Sequence, residues 1–131
     1  MTRIKKPDFK NAQSILEAAH KKMKFTLSLK LTQDSASTIA SNIYECFRML
    51  GDVIFVRMGI HQTNHIEVID ELIKLDVQTK RPLQTIKNLR MLRHNINYYG
   101  YEPAISEVSD AIDIANACFK PLYKKLSEDN K

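Results

Sequence analysis

The sequence predicts an all-α protein: an antiparallel up-and-down bundle of four long helices plus one short helix, forming a single domain over residues 1–131. Three observations predict it. Glycine (3) and proline (4) are scarce, and a sandwich or barrel needs such residues at its many turns. Apolar residues recur at three- and four-residue intervals over long stretches, the period of a helix rather than a strand. The breaks between the first stretches are short, and long helices joined by short turns fold back on one another.

The first helix is predicted from Asp8, an N-cap after Pro7, to about Leu31, with Ala12, Ile15, Leu16, Ala19, Met23 and Leu27 on its apolar stripe. A second starts near Gln33–Asp34, carries Ile39, Ile43, Phe47, Leu50 and Ile54, and stops before Gly59. Each spans roughly 35 Å at 1.5 Å per residue. A short third helix is announced by Asn64 and Glu67 at capping-box spacing, with Ile66, Ile69, Leu72 and Ile73 behind them. Pro82 suits the first turn of a fourth, which continues through Leu83, Ile86, Leu89, Leu92 and Ile96. It is expected to fray near Asn97, because Gly100 and Pro103 follow. Ser106 is expected to cap the fifth, which turns Val108, Ala111, Ile112, Ala115, Phe119, Leu122 and Leu126 inward. Pro121 falls inside that pattern and is expected to bend or end the helix. No linker, repeat or low-complexity segment interrupts the chain.

Several function classes are excluded by what the chain lacks. There is no G-x-S-x-G, P-loop or G-x-G-x-x-G, three glycines build no phosphate cradle, and no cofactor is implied. His61 and His65 stand at a metal-pair spacing, yet Asn64 as a cap puts His61 outside the helix. No third ligand follows at a suitable spacing, so no metal site is expected. Asp52, Asp70, Glu71 and Asp76 form no acid–base pair, and His20 sits among lysines as a surface residue. Cys46 and Cys118 fit no CxxC pattern and read as free, buried thiols of a reducing compartment. The segment MTRIKKPDFK has no apolar leader core, and no run approaches eighteen apolar residues. The expectation is a cytoplasmic protein that does not enter the membrane.

Charge is unevenly spread. The net +5 arises from residues 1–30, with eight Lys/Arg against two acids, and residues 79–100, with five against none. The intervening and final segments are acidic. Basic blocks draw polyanions, although a lysine-rich helix is also simply a solvated face. The second block coincides with an unusual stretch, LRHNINYYGY, from Leu92 to Tyr101. Arg90, Arg93 and Asn97 share one side of the fourth helix, with His94 beside Arg90. Tyr98 and Tyr99 fall where that helix is expected to unwind, so their rings can fold back towards Arg93. Guanidinium groups among aromatic faces suit a phosphate with a stacked base. The plainer alternative has the tyrosines plugging the bundle and the arginines paired to carboxylates.

The order of features resembles the HEPN family of small prokaryotic helical proteins, over roughly residues 8–126. The second helix carries NIYECF around Tyr44 and Phe47. Gly59 and the Asn64–His65 pair follow, then a leucine-rich helix ending in the Arg motif, then a last helix rich in alanine and isoleucine. The family motif is an Arg, a polar residue, and a His four to six positions after the Arg. Arg93 and His94 match its first half. No histidine follows residue 94: anchored on Gly100–Tyr101, Tyr99 stands in its place, whereas counting from Arg93 puts Tyr98 there.

Active members of the family resemble metal-independent ribonucleases, with the His as general base and the Arg supporting the phosphate. A phenol of ordinary pKa about 10 is ionised to about one part in a thousand at pH 7, and losing a tuned base costs about 10²–10⁴ in rate. The resemblance therefore implies a nucleotide- or RNA-binding module with weak or no nuclease activity. Arg93, Tyr98 and Tyr99 would form the degenerate catalytic motif, and Arg90, Arg93, His94, Asn97, Tyr98, Tyr99 and Tyr101 would bind the ligand. It also implies a homodimer and a partner minimal nucleotidyltransferase, in a toxin–antitoxin-type pair, with Tyr98, Tyr99 or Tyr101 as candidate AMP acceptors. Two other expectations stand beside it: a metal-independent ribonuclease toxin using Arg93 with Tyr98, Tyr99 or His94, and a structural assembly bundle with an inert motif.

Overall fold

Asp8 opens the first helix as its position predicts: its carboxylate accepts the Asn11 N–H at 2.9 Å, supplying one of the acceptors that a helix start lacks. The computed structural model describes the backbone of residues 2–4, 6–62 and 64–130, with side chains for all of these except 2–4, 61, 62 and 65. The described residues form five α-helices: α1 (Phe9–Ser28), α2 (Ala36–Arg57), α3 (His65–Leu72), α4 (Ile86–Tyr99) and α5 (Ile105–Asp129). The other described residues are almost free of regular structure. A 3-10 turn, Leu83–Thr85, leads into α4. A short antiparallel ladder pairs β1 (Thr2–Ile4) with β2 (Ile60–Gln62), with Arg3 opposite His61. Three-residue strands lie below the length at which alternation is visible in a sequence.

Several boundaries differ from expectation: the α-helical part of the fourth helix, for one, starts only at Ile86, after the 3-10 turn that follows Pro82. α1 stops at Ser28, because Leu29 is extended (φ −73°, ψ 141°). Leu29 and Leu31 then pack on the core from the turn, so contact with the core continues past the end of the helix. α2 begins at Ala36, since the Ser35 hydroxyl closes the preceding turn, accepting the Thr32 N–H at 2.8 Å and donating to the Lys30 carbonyl at 2.7 Å. α5 starts one residue before Ser106; the Glu107 carboxylate accepts the Ala104 N–H at 2.9 Å and closes the first turn without a hydroxyl cap. Pro121 neither ends nor interrupts α5. A proline inside a helix costs about 3 kcal/mol, but buried Cys118, Phe119, Leu122 and Leu126 flank it on both sides. Each fully buried large apolar side chain stabilises the fold by about 1.5–3 kcal/mol, so the stripe carries the helix through.

Hydrogen bonds between elements set their directions. The Asp8 N–H donates to the Val56 carbonyl at 3.2 Å, so the start of α1 meets the end of α2 and the pair is antiparallel. Arg57 Nη1 donates to the Leu126 carbonyl at 3.0 Å, and Gln33 Nε2 to the Pro103 carbonyl at 3.5 Å. Both ends of α5 therefore lie beside the matching ends of α2. Asn130 Nδ2 reaches the Phe9 carbonyl at 3.1 Å and ties the end of α5 to the start of α1. The core runs through Leu16, Ile43, Phe47, Leu50, Ile114 and Leu122, all fully buried. Phe47 meets Phe119 edge-on, 5.8 Å between centroids.

α3 and α4 cover the remaining side of α2. The approach of α3 depends on Gly51. A Cβ there would lie 2.7 Å from the Val68 carbonyl oxygen, and closer still to a Val68 methyl, so no larger residue fits without moving α3. Gly51→Ala is expected to destabilise the protein by about 1–3 kcal/mol, measured as a lower denaturant midpoint at unchanged slope.

Candidate functional site

The unusual stretch stays helical as far as Tyr99. Gly100 then turns the chain in the left-handed region (φ 61°), and the N–H groups of Gly100 and Tyr101 both donate to the Asn95 carbonyl. Fraying near Asn97 does not occur, because this cap satisfies the last turn. Tyr98 and Tyr99 accordingly project from a regular helix and stand 72% and 75% exposed. Their rings do not fold back on Arg93. Helical spacing places them against His94, with centroids 4.7 Å away for Tyr98 and 5.7 Å for Tyr99.

Two arginines are set by contacts with other helices. Arg90 Nη1 donates to the Ile66 carbonyl at 3.4 Å and lies 3.8 Å from the Asp70 carboxylate, both on α3. The Arg93 guanidinium sits 5.4 Å above the ring of Tyr44 on α2, a cation–π distance. Its Nη2 is 3.8 Å from Glu45 Oε2, and its side chain keeps 28% of its surface exposed. Glu45 is already engaged: Arg48 Nε donates to its Oε1 at 2.8 Å, and Arg48 Nη1 pairs with Asp52. Arg93 thus holds a second, longer claim on one carboxylate, and its charge is only partly compensated.

Two groups beside Arg93, Tyr44 and Glu45, have their proton affinities shifted in opposite directions. Burial raises the Tyr44 phenol pKa, and the opposing charges of Arg93, Arg90 and Arg48 do not bring it back. For Glu45, burial acts to raise the pKa, but the Arg48 hydrogen bond and the charges of Arg48, Arg93 and Lys22 outweigh it and hold the carboxyl below its ordinary value. Cys46, beside it in sequence, has its thiol pushed up to about 12 by burial, so it is no nucleophile at neutral pH.

These residues converge on a cleft of about 610 Å³. Tyr44 forms part of its floor and Ile66 of α3 one wall, with Arg90, Met91, Arg93, His94, Asn95, Tyr98 and Tyr99 of α4 as the rest. The cleft brings together five of the seven sequence-predicted ligand residues. Asn97 is not among its lining residues, because the cleft opens on the side of α4 marked by Met91, His94 and Tyr98. Tyr101 lies past the cap and outside it: its hydroxyl donates to Glu107, and that bond raises the phenol pKa.

Tyr44, Ile66, Met91 and Asn95 were missed as site residues. Met91 and Asn95 share the exposed flank of α4 and could have been found from helical geometry alone. Tyr44 and Ile66 reach the cleft only through the packing of α2 and α3. His61 and His65, weighed as a metal pair, have side chains outside the described residues. Among the described residues, no group of three His, Cys, Asp or Glu is placed to hold a metal ion, and no helix is long and apolar enough to cross a membrane.

Chemically, the cleft offers two guanidinium groups, an imidazole and two exposed phenol rings. Such a set can hold a phosphate while a planar ring stacks on an aromatic face. No protein-family model, curated protein or solved structure matches the chain.

The depressed Glu45 pKa has a pH consequence. A carboxylate held below its ordinary value, here 4.5, contributes stability that is fully present above that pH and is lost as pH falls through the folded-state value. Glu45→Gln is expected to unfold more readily than wild type at neutral pH. The difference should shrink below pH 4.5, as followed by urea midpoints across pH 3–7 (roughly the carboxylate range).

Proposed function

We propose that the α3/α4 cleft binds the phosphate and base of a nucleotide or of RNA, as a HEPN-like module with weak or no nuclease activity. The observation that carries this reading is the convergence of Arg90 and Arg93 with exposed Tyr98, Tyr99 and His94 on one cleft. In this reading Arg93 holds the phosphate, because its nearest carboxylate already serves Arg48. Tyr98 and Tyr99 offer the ring faces. The finer arrangement belongs to the same proposal: an up-and-down bundle in which α3 and α4 act together as its third leg. So do a cytoplasmic homodimer that pairs two clefts, and a minimal nucleotidyltransferase partner in a toxin–antitoxin-type pair that modifies Tyr98, Tyr99 or Tyr101.

Arg93→Ala is expected to weaken binding of a fluorescein-labelled RNA oligomer or of ATP by about tenfold to a hundredfold, the worth of a charge-assisted hydrogen bond. Fluorescence anisotropy and calorimetry measure it. Equal affinity of wild type and variant would leave the cleft without this role and favour an assembly bundle with an inert motif.

A second reading is favoured by one observation: His94 lines the same cleft as Arg93. In that reading the protein is a metal-independent ribonuclease with His94 as general base on a 2′-hydroxyl. It predicts RNA cleavage in the presence of chelator, reduced about 10²–10⁴-fold in His94→Ala and lost in Arg93→Ala. Intact RNA after long incubation with wild type at several pH values would exclude it.

A further inference from the structure

A second concave surface lies on another face of the molecule, between α1 and α5, and its charge is less compensated than that of the α3/α4 cleft. Near one end these helices are tied by Asn130, which donates to the Phe9 carbonyl and to Gln13. Further along, the His20 and Tyr123 rings meet at 4.9 Å. Beyond that contact the two helices enclose a groove of about 580 Å³, within the range of about 300–1,000 Å³ typical of small-molecule sites.

Its lining follows the four-residue repeat of each helix. His20, Lys24 and Ser28 of α1 form one rim, and Asn116 and Lys120 of α5 the other. Met23, Leu27, Ala115 and Phe119 make the floor. No lining residue is acidic, and among the described residues His20, Lys24 and Lys120 enter no ion pair. In the α3/α4 cleft, by contrast, Glu45 and Asp70 stand within 4 Å of the arginines. Cations on both rims of an apolar floor are complementary to one kind of molecule, an apolar body with an anionic head.

We propose that the α1/α5 groove binds a free small amphipathic anion, a carboxylate or phosphate ester carrying a compact apolar group. Lys24 and Lys120 hold its head from opposite rims, and Leu27 and Phe119 meet its body. The size of the groove selects this occupant. From His20 to Ser28 the rim is roughly 12 Å long at 1.5 Å per residue, too short to seat a long partner helix. Its floor is recessed between the rims, out of reach of a flat lipid surface.

The test uses 1-anilinonaphthalene-8-sulfonate as fluorescent probe and decanoate as competitor, with decanol as the uncharged control. Saturable fluorescence is expected, displaced by decanoate at concentrations at least tenfold below those decanol requires. Lys24→Glu with Lys120→Glu should weaken the probe at least tenfold, and Lys74→Ala, at a residue just past α3 that lines neither concave surface, should leave its affinity within twofold of wild type. Both lysines are exposed, so the double variant is expected to keep its helical circular dichroism. Should it not fold, methyl chemical shifts of wild type decide: decanoate moving Leu27 and Ala115 supports the groove, and shifts confined elsewhere overturn it. Equal displacement by decanoate and decanol would overturn the proposal. So would an unaffected charge-reversed variant, an equal loss of probe binding in Lys74→Ala, or binding to phosphatidylglycerol vesicles without binding to decanoate.

Discussion

Gly51 has no side chain, and the space its Cβ would fill is taken by Val68 of α3. That close crossing fixes more than two helices. It sets the height of Ile66 and Asp70 above α2, and those two groups hold Arg90. It also brings α3 near enough to α4 for Ile66 to wall the cleft in which Arg93 stands. A core of Leu and Ile would tolerate several spacings of α3 at similar burial. Glycine admits a short spacing that any side chain there would forbid, because backbone carbonyl and methyl of Val68 both occupy the gap.

The cleft's electrostatics rest on an unequal sharing of Glu45. Arg48 Nε donates to it at 2.8 Å, and Arg48 also pairs with Asp52. Arg93 is left 3.8 Å away, above the face of a neutral phenol. A guanidinium so placed keeps its orientation through the ring while retaining donors that no carboxylate saturates. Orientation without full neutralisation is what an anion-binding arginine requires, and it underlies the proposed role of the cleft. The α1/α5 groove differs in kind: its lysines sit on flexible stems over an apolar floor, with no carboxylate among the described residues paired to them.

Much of the helical framework was legible because it is written locally. Asp8 and Asn64 cap the helices they precede, with hydrogen bonds of 2.9 Å each, and apolar periodicity marks the stripes that become core. The departures have local causes that periodicity does not carry. Leu29 and Leu31 pack on the core, partly buried, from beyond the helix end, so contact with the core does not mark helix. Pro121 shows the reverse, since its own preference to end a helix is overridden by side chains on either side of it. The ladder of Thr2–Ile4 with Ile60–Gln62 joins segments more than fifty residues apart, and no pattern within either one predicts the pairing.

By itself the sequence determined a helical chain, its approximate element order, and a basic, aromatic stretch on the fourth helix. Each of these depends on residues within a few turns of one another, where backbone geometry alone relates spacing to position. Tertiary structure decided the rest: that Tyr44 would lie beneath Arg93, that Ile66 would wall the same cleft, that Tyr101 would turn away to Glu107, and that Lys24 and Lys120 would face one groove. Those relations join residues far apart in the chain, and they follow from how closely the helices pack and in which direction they run. Neither quantity is encoded in the period of any one helix.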